Sequence, residues 1–346
     1  MRRRHFLESA GAFAASLALA PLPARGQGPP PRFADMHSHL GFPRGPASFR
    51  DAMAEGGMLV VAEKVVPDSP LLRNVGNRLA AVREAKPGEL RRNFETGFAL
   101  RARRVKDDGL VAVTSAEVLD RVVAERAPAV VLCSEGADFL EGDVGYLEKI
   151  RAQGLAHLQL VHFYWVSAIG DIATEEPRHG GLTAFGKDVV RACNRLGILV
   201  DVAHCAARGM EDALEISSKP VIYSHGHVSA GLPNPLQGGI TARGIHAPIA
   251  KRLAEKGGVI GLWPNWSVYA NLDLYADAIA RAVHSYGAAH VGIGTDMFGM
   301  PRSVVPSYRE FARLPEYLAQ RGLKDAEIDA VLGSNYLRVL RQALVV

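Results

Sequence analysis

The chain has 346 residues, of which 48% are hydrophobic and 22% charged, and its formal net charge is +4. This is an ordinary globular composition that can bury a large core, so the fold does not depend on disulfides or other staples. Residues 1–26 contain four arginines and one glutamate, so without them the net charge falls from +4 to +1. The charge therefore gives no argument for a nucleic-acid or anionic-membrane partner.

The N-terminus has the features of a secretory signal. Residues 2–4 are arginines, residues 10–20 are apolar, and small residues and prolines follow. The apolar run is too short to span a bilayer, which takes roughly 20 helical residues. The arginine pair before His5-Phe6-Leu7 is similar to a twin-arginine export signal. We predict a signal peptide at 1–26, a Pro-rich linker at 27–31 and one domain over 32–346. The protein is then expected to be periplasmic or secreted, with no stable membrane span.

Eight short apolar runs predict strands. They lie at residues 32–36, 58–63, 129–133, 157–162, 198–203, 220–224, 258–263 and 290–295. Most are continuous, as strands buried on both faces should be. Helical patterns separate several of them, at 186–196, 209–217, 249–256 and 273–286, and closing helices are expected over 304–320 and 325–343. This alternation predicts an α/β fold of the (β/α)₈ TIM-barrel type.

One connection, residues 67–128, is too long for a single crossover. It contains helix-permissive segments at 79–85 and 115–125 and a basic run at 101–106. We expect a helical insertion between the second and third strands, with a hairpin as a further option. The basic run is interpreted as a solvated face.

Histidines and acidic residues recur where the predicted strands end. In a barrel of this type the C-terminal strand ends converge on one rim, so residues distant in sequence meet in one cup. The set is His37, His39, Glu135, His162, His204, His225 and Asp296. It is typical of a metal-dependent hydrolase.

The residue types suggest a division of roles. His37 and His39 lie on one side of an extended strand end, where they can chelate one metal, although solvated loop histidines would give the same pattern. Glu135 has two oxygens that can bridge two cations. His204 and His225 end consecutive strands, and either one alone could equally be a core histidine.

Asp296 and His162 are candidates for the chemistry itself. On the eighth strand, a carboxylate at Asp296 can accept a proton from the attacking water and pass it to a leaving amine, whereas the alternative role is a helix N-cap. His162 can donate a hydrogen bond to an oxyanion. The fourth strand has no lysine for a carbamylated bridge, which favours Glu135 as the bridging ligand.

Three cysteines, Cys133, Cys193 and Cys205, are an odd number for an exported protein. Two of them flank the predicted site, so a thiol ligand has to be considered. We expect buried free thiols and no disulfide, because cysteine is among the most buried residue types.

Longer blocks of the sequence resemble the membrane (renal) dipeptidase family of zinc peptidases, within the amidohydrolase superfamily. They are residues 180–186, 194–204, 224–225, 291–296 and 332–338, and the resemblance runs from about Phe33 to the C-terminus, patchily between 65 and 128. It implies one zinc held by His37, residue 39 and Glu135, and a second held by Glu135, His204 and His225. It also implies that His162 polarises the substrate carbonyl and that Asp296 is the acid/base.

The chain departs from the family pattern twice. The family usually has His-x-Asp at the first strand, whereas His39 is a neutral ligand that leaves more positive charge on the metals and could further acidify the attacking water. The family's Arg-Asn, implied to bind the dipeptide carboxylate, is missing from residues 231–239. Either Arg243 substitutes for it or the substrate is not an ordinary dipeptide. His227 is either a substrate contact or a loop residue.

These observations predict an exported enzyme with two zinc ions that hydrolyses an amide bond in a small molecule, most simply a dipeptide. The alternative within enzymes is an N-acyl amino acid, cyclic amide or lactone hydrolase, which needs the same metals but not the arginine. A non-catalytic extracytoplasmic binding protein is the alternative outside enzymes. A homodimer is compatible with the sequence, and no nucleic-acid partner is expected.

Overall fold

The structure is a computed structural model that describes residues 32–76, 78–231 and 240–346. The predicted signal peptide, the linker and the segment 232–239 lie outside the described residues, so the predictions for them stay predictions. No helix in the described part is long and apolar enough to cross a bilayer.

The described residues contain short strands that we number in chain order. They are β1 (Phe33–Ser38), β2 (Met58–Val65), β3 (Leu72–Val75), β4 (Arg78–Ala81), β5 (Val111–Ala112), β6 (Ala129–Glu135), β7 (Leu155–Gln159), β8 (Leu199–Asp201), β9 (Ile222–Tyr223), β10 (Val228–Ser229), β11 (Ile245–His246), β12 (Val259–Leu262) and β13 (Val291–Ile293). Eight of them form a parallel barrel sheet in the order β1-β2-β6-β7-β8-β9-β12-β13, and β5 pairs with β6 from outside this path. The predicted (β/α)₈ barrel is confirmed, with each predicted strand matching one barrel strand.

The helices are α1 (Phe49–Gly56), α2 (Glu89–Asp107), α3 (Ala116–Glu125), α4 (Tyr146–Ala152), α5 (Ala184–Leu196), α6 (Ala207–Ile216), α7 (Ala247–Glu255), α8 (Leu272–Tyr286), α9 (Tyr308–Phe311), α10 (Leu314–Ala319), α11 (Asp325–Asp329) and α12 (Asn335–Leu344). Several begin where a short polar side chain accepts a hydrogen bond from the backbone N–H three residues on, which satisfies one free donor of the first turn. These caps are Ser48, Ser115, Thr183 and Asn271. The apolar faces of the helices pack on the strands in two large hydrophobic clusters.

The insertion at residues 67–128 contains helices, as predicted, and also a hairpin, the further option. Its first part is an antiparallel hairpin of β3 and β4. The helical interpretation of 79–85 is therefore wrong: Gly76 has a left-handed φ of 60°, which allows a tight turn between the two strands. The helices α2 and α3 follow, and α3 matches the predicted segment 115–125.

The interpretation of 101–106 as a solvated face is wrong at Arg101. This side chain is buried, and its Nε donates a 2.8 Å hydrogen bond to Oε1 of Glu63 on β2. Glu63 also accepts hydrogen bonds from the backbone N–H groups of Leu40 (2.7 Å) and Gly41 (2.9 Å). The insertion therefore holds the loop that follows His39.

The barrel closes between its first and last strands. Just beyond the strand ends, the N–H of Asp296 donates to the carbonyl of His37 and the N–H of His39 donates to the carbonyl of Met297, both at 2.9 Å. The seam between β1 and β13 thus carries three of the predicted site residues on adjacent backbone.

The carboxylate of Asp35 supports this seam from inside the barrel. It is fully buried and accepts hydrogen bonds from the backbone N–H of His37 (3.1 Å), the backbone N–H of Thr295 (2.9 Å) and the hydroxyl of Tyr308 (2.9 Å). Burial raises the pKa of Asp35 to about 6, although these hydrogen bonds oppose the shift. The side chain of Asp35 therefore links β1 to the segment that follows β13.

A charged layer fills the barrel below the rim. Lys64 Nζ lies 3.1 Å from Oδ2 of Asp201 and 2.9 Å from Nε2 of His157, and all three side chains are fully buried. Burial alone would raise the pKa of Asp201, but Lys64 holds it below its usual range. Because a buried charge is costly unless it is paired, this ion pair fixes β2 and β8 relative to each other.

Candidate metal centre

The structure places His37 and His39 side by side at the end of β1. Their Nε2 atoms are 3.2 Å apart, and both side chains are buried. We call these residues the first histidine pair. Two imidazole nitrogens at this separation can both bind one tetrahedral zinc ion, whose distance to each histidine nitrogen is about 2.0 to 2.1 Å.

His204 and His225 form a second histidine pair. His204 follows β8 and His225 follows β9, and their Nε2 atoms are also 3.2 Å apart. His204 has a left-handed φ of 66°, a conformation that is uncommon for a non-glycine residue and that occurs often at functional sites. Both side chains are buried.

The carboxylate of Glu135, the last residue of β6, lies between the two pairs. Its Oε1 is 3.3 Å from Nε2 of His204 and 3.7 Å from Nε2 of His225. The same oxygen is 3.5 Å from Nε2 of His37, and Oε2 is 3.3 Å from Nε2 of His39. A carboxylate in this position can share its oxygens between two cations.

The protonation of three of the four histidines suits this arrangement. Burial lowers the pKa of His37 to about 4 and the pKa of His204 and His225 well below the usual histidine value, so these three imidazoles are neutral at pH 7. Burial also lowers the pKa of His39, but the Asp296 and Glu135 carboxylates outweigh it and raise the value to about 9. The donor set of four imidazoles and one carboxylate fits zinc.

Asp296 lies beside the first pair. Its Oδ1 is 3.1 Å from Nε2 of His39 and 4.0 Å from Nε2 of His37. The residue follows β13 with a left-handed φ of 50°. It can therefore reach a cation on the first pair and a water molecule beside it.

His162 lies three residues beyond the end of β7. The sequence predicts a strand that ends at residue 162, so it locates this residue only approximately. Its Nε2 is 3.4 Å from Oε1 of Glu135. Its Nδ1 is 2.8 Å from Oδ1 of Asp68, and the other oxygen of Asp68 accepts the backbone N–H of Phe163 at 3.1 Å. Asp68 therefore orients the ring so that Nε2 faces the cup.

Sequence reasoning missed Asp68, although a usable signal existed. The residue follows β2 by three positions, so the rule that located the other candidates also applies to it. It opens the long insertion between the second and third predicted strands, where the sequence predicts no rim position.

Arg243 reaches the second histidine pair. Its Nη2 lies 2.6 Å from Nε2 of His204 and 2.7 Å from Nε2 of His225. Its guanidinium carbon lies 4.3 Å from the ring centroid of Trp263 and 5.5 Å from that of Phe163. The guanidinium uses the lone pairs that a second cation needs, so this side chain must turn away when a cation binds there.

His227 does not join the other candidates. Its ring lies against Gly244, and its Nδ1 is buried without a hydrogen-bond partner among the described residues. A role in substrate binding therefore stays a prediction for this residue.

The three cysteines are free and buried within the described part of the chain. Cys133 donates a hydrogen bond to the carbonyl of Val131 (3.1 Å), and burial raises the pKa of both Cys133 and Cys205 above the usual thiol value. The groups of described residues that could hold a metal contain histidines and carboxylates alone. Thiol ligation is therefore not supported.

Comparisons with known proteins agree with the resemblance seen in the sequence. The model of the membrane dipeptidase family (peptidase family M19) matches residues 96–346. Dipeptidase tcpJ of Claviceps purpurea is 28% identical over 244 residues, which are 68% of this chain and 56% of that protein. Dipeptidase 3 of Mus musculus is 29% identical over 245 residues, 67% of this chain and 48% of that protein. The chain thus spans about half the length of these curated relatives.

The fold is also that of solved relatives. A metallo peptidase from Rhodobacter sphaeroides, whose structure contains a phosphinate mimic of the dipeptide L-Ala-D-Ala, superimposes with a TM-score of 0.75 at 17% identity, over 91% of this chain and 100% of that chain. This likeness shows the fold alone. Because the family model covers well over half of the sequence, the chain belongs to the membrane dipeptidase family.

Proposed function

We propose that this chain is an exported dipeptidase that works with two zinc ions. The observation that carries the proposal is the position of Glu135, whose carboxylate lies within 3.7 Å of all four Nε2 atoms of the two histidine pairs. One ion would be held by His37, His39 and Glu135, and the other by Glu135, His204 and His225. When bound, two such ions activate water as a nucleophile and polarise the substrate carbonyl.

The chain's own residues supply the rest of the chemistry. The carboxylate of Asp296, at the rim beside His39, takes the proton that the attacking water loses and passes it to the leaving amine. His162 donates from Nδ1 to Asp68. Burial lowers the pKa of His162, but the Asp68 and Glu135 carboxylates outweigh burial and raise it, so the ring keeps a second proton on Nε2 that it donates to the oxyanion that develops on the substrate. Both groups act on the same bound substrate because the strand ends bring them to one cup.

Arg243 is the candidate for substrate recognition. It is the guanidinium at the cup, packed on Trp263, and an arginine can bind a carboxylate with two parallel hydrogen bonds. Once it turns from the second histidine pair, it can take the free carboxylate of a dipeptide. This supports a substrate with a free carboxylate, such as a dipeptide, over a cyclic amide or lactone.

A comparison of one dipeptide with its C-terminal amide tests this recognition. We expect the amide to be the poorer substrate, and Arg243→Ala to lower kcat/KM for the free dipeptide by about ten- to a hundredfold, because a charge-assisted contact contributes roughly 1.5 to 3 kcal/mol. Arg195→Ala, on the exposed face of α5, is the matched control and should change nothing.

The outcomes separate the candidate functions. Equal rates for the dipeptide and its amide contradict carboxylate recognition by Arg243. No cleavage of either, with turnover of an N-acyl amino acid or lactone, supports the alternative hydrolase. A chain that purifies without metal and turns over none of these substrates would instead be a binding protein.

We also propose that the chain is exported, on the sequence of residues 1–26. The double variant Arg3→Lys/Arg4→Lys should remain inside the cell, whereas the unchanged chain should be recovered from the periplasm or the medium. Fractionation checks this, and equal recovery of both proteins outside the cytoplasm would contradict a twin-arginine signal.

A further inference from the structure

Ser224 lies between the two histidine pairs, on the side away from Glu135. Its hydroxyl oxygen is 3.2 Å from Nδ1 of His37, in the first pair, and 3.0 Å from Nδ1 of His225, in the second pair. The serine is fully buried, and the ring centroids of His37 and His225 are 3.7 Å apart, with the ring planes tilted by 39°. One hydroxyl thus contacts one histidine of each predicted cation site.

The protonation of each imidazole decides which atom donates and which accepts in these contacts. A neutral imidazole has one N–H, and Nε2 can bind a cation only when the proton is on Nδ1. A hydroxyl oxygen has two acceptor lone pairs, so Ser224 can accept both Nδ1–H groups together. When it accepts both, each histidine has the tautomer in which Nε2 has a free lone pair.

The position of Ser224 is fixed by its surroundings. Its backbone N–H donates to Oδ1 of Asp201 (3.0 Å), the carboxylate that is paired with Lys64. Its carbonyl oxygen packs against Gly261 and Gly294, where a Cβ atom would come within 1.8 and 2.0 Å of that oxygen. The neighbouring strands can approach this closely only because both residues are glycine, so the hydroxyl has little freedom to move.

We propose that Ser224 is a positioning residue shared by the two cation sites, which sets the tautomer and ring orientation of His37 and His225 together. The inference rests on the two-ion part of the proposed function. It goes beyond that function because it couples the two sites: loss of one hydroxyl should weaken both.

The test is the affinity of each site for Zn²⁺, measured by competition with a chelating dye in Ser224→Ala and in the unchanged chain. Partners that orient a metal-bound histidine typically contribute 10- to 100-fold in affinity, so we expect both dissociation constants to rise by about this factor. Ser167→Ala is the matched control, since Ser167 is equally buried and its hydroxyl donates to Asp138 rather than to a metal ligand. Its zinc affinities should be unchanged.

A second pair of variants covers the case in which the alanine variant does not fold. Thr and Val have nearly the same shape, so Ser224→Thr, which keeps the hydroxyl, should bind zinc more tightly at both sites than Ser224→Val. Equal affinities in this pair would overturn the proposal.

Other outcomes separate this inference from the proposed function. If the unchanged chain binds two ions and Ser224→Ala binds both with the same constants, even at a lower melting temperature, the serine is only structural and the shared role is wrong. If only one of the two sites weakens, the coupling is wrong. If the unchanged chain binds fewer than two ions, the two-ion proposal itself fails, and the shared role fails with it.

Discussion

Asp296→Asn should lower kcat by about 10² or more, in line with typical general acid/base contributions, while the zinc content stays close to that of the unchanged chain. Asparagine keeps an oxygen at the position 3.1 Å from His39 Nε2, so a ligand atom for the first site is retained. It cannot accept a proton, so transfer from water to the leaving amine is lost. Steady-state kinetics and metal analysis of the same preparation check both halves of the prediction.

Asp188→Asn is the control for this experiment, because that carboxylate is exposed on α5 and contacts Arg191 alone among the described residues. Undiminished turnover in Asp296→Asn would remove Asp296 from the mechanism. A loss of both zinc and activity would assign the residue to metal binding instead.

Glu135→Gln should have an even larger effect. The amide has no charge to balance two cations, and only one of its two positions offers an acceptor, so one histidine pair loses its shared oxygen. We expect less than two zinc per chain and a fall in kcat/KM of about a thousandfold or more, because both ions are needed to activate the water. Metal analysis after gel filtration, with kinetics at saturating zinc, measures this.

Glu148→Gln, on the exposed surface of α4, controls for the change of charge and should retain both ions. Two tightly bound zinc ions in Glu135→Gln would contradict the bridging role. In that case each histidine pair would have to hold its cation without the shared carboxylate.

The sequence predicted the barrel and most of the cup because both depend on a local pattern. A strand buried on two faces is a continuous apolar run, and the rim residue follows it directly in the chain. Glu135 and Asp296 could therefore be located without any knowledge of their neighbours. The resemblance to known dipeptidases then indicated how such residues divide between two ions.

The rest could not be predicted because it depends on contacts between distant segments. Asp68 is informative only when its carboxylate is seen 2.8 Å from His162, and Lys64 only when it is seen paired with Asp201 inside the barrel. The burial of Arg101 depends on Glu63, on another element. The proximity of Arg243 to the second histidine pair depends on the placement of the short turn Thr241–Arg243, for which no periodic pattern applies.

The seam of the barrel has a consequence for the order of folding. Its hydrogen bonds join Asp35 to Thr295, which are 260 residues apart in the chain, and contacts between such distant residues form only after the loop-closure entropy has been overcome. The first histidine pair is made early in synthesis, but Asp296 reaches it only when the last strand has docked. A chain truncated before β13 would therefore contain the four histidines and Glu135 and still lack Asp296, the proposed proton acceptor.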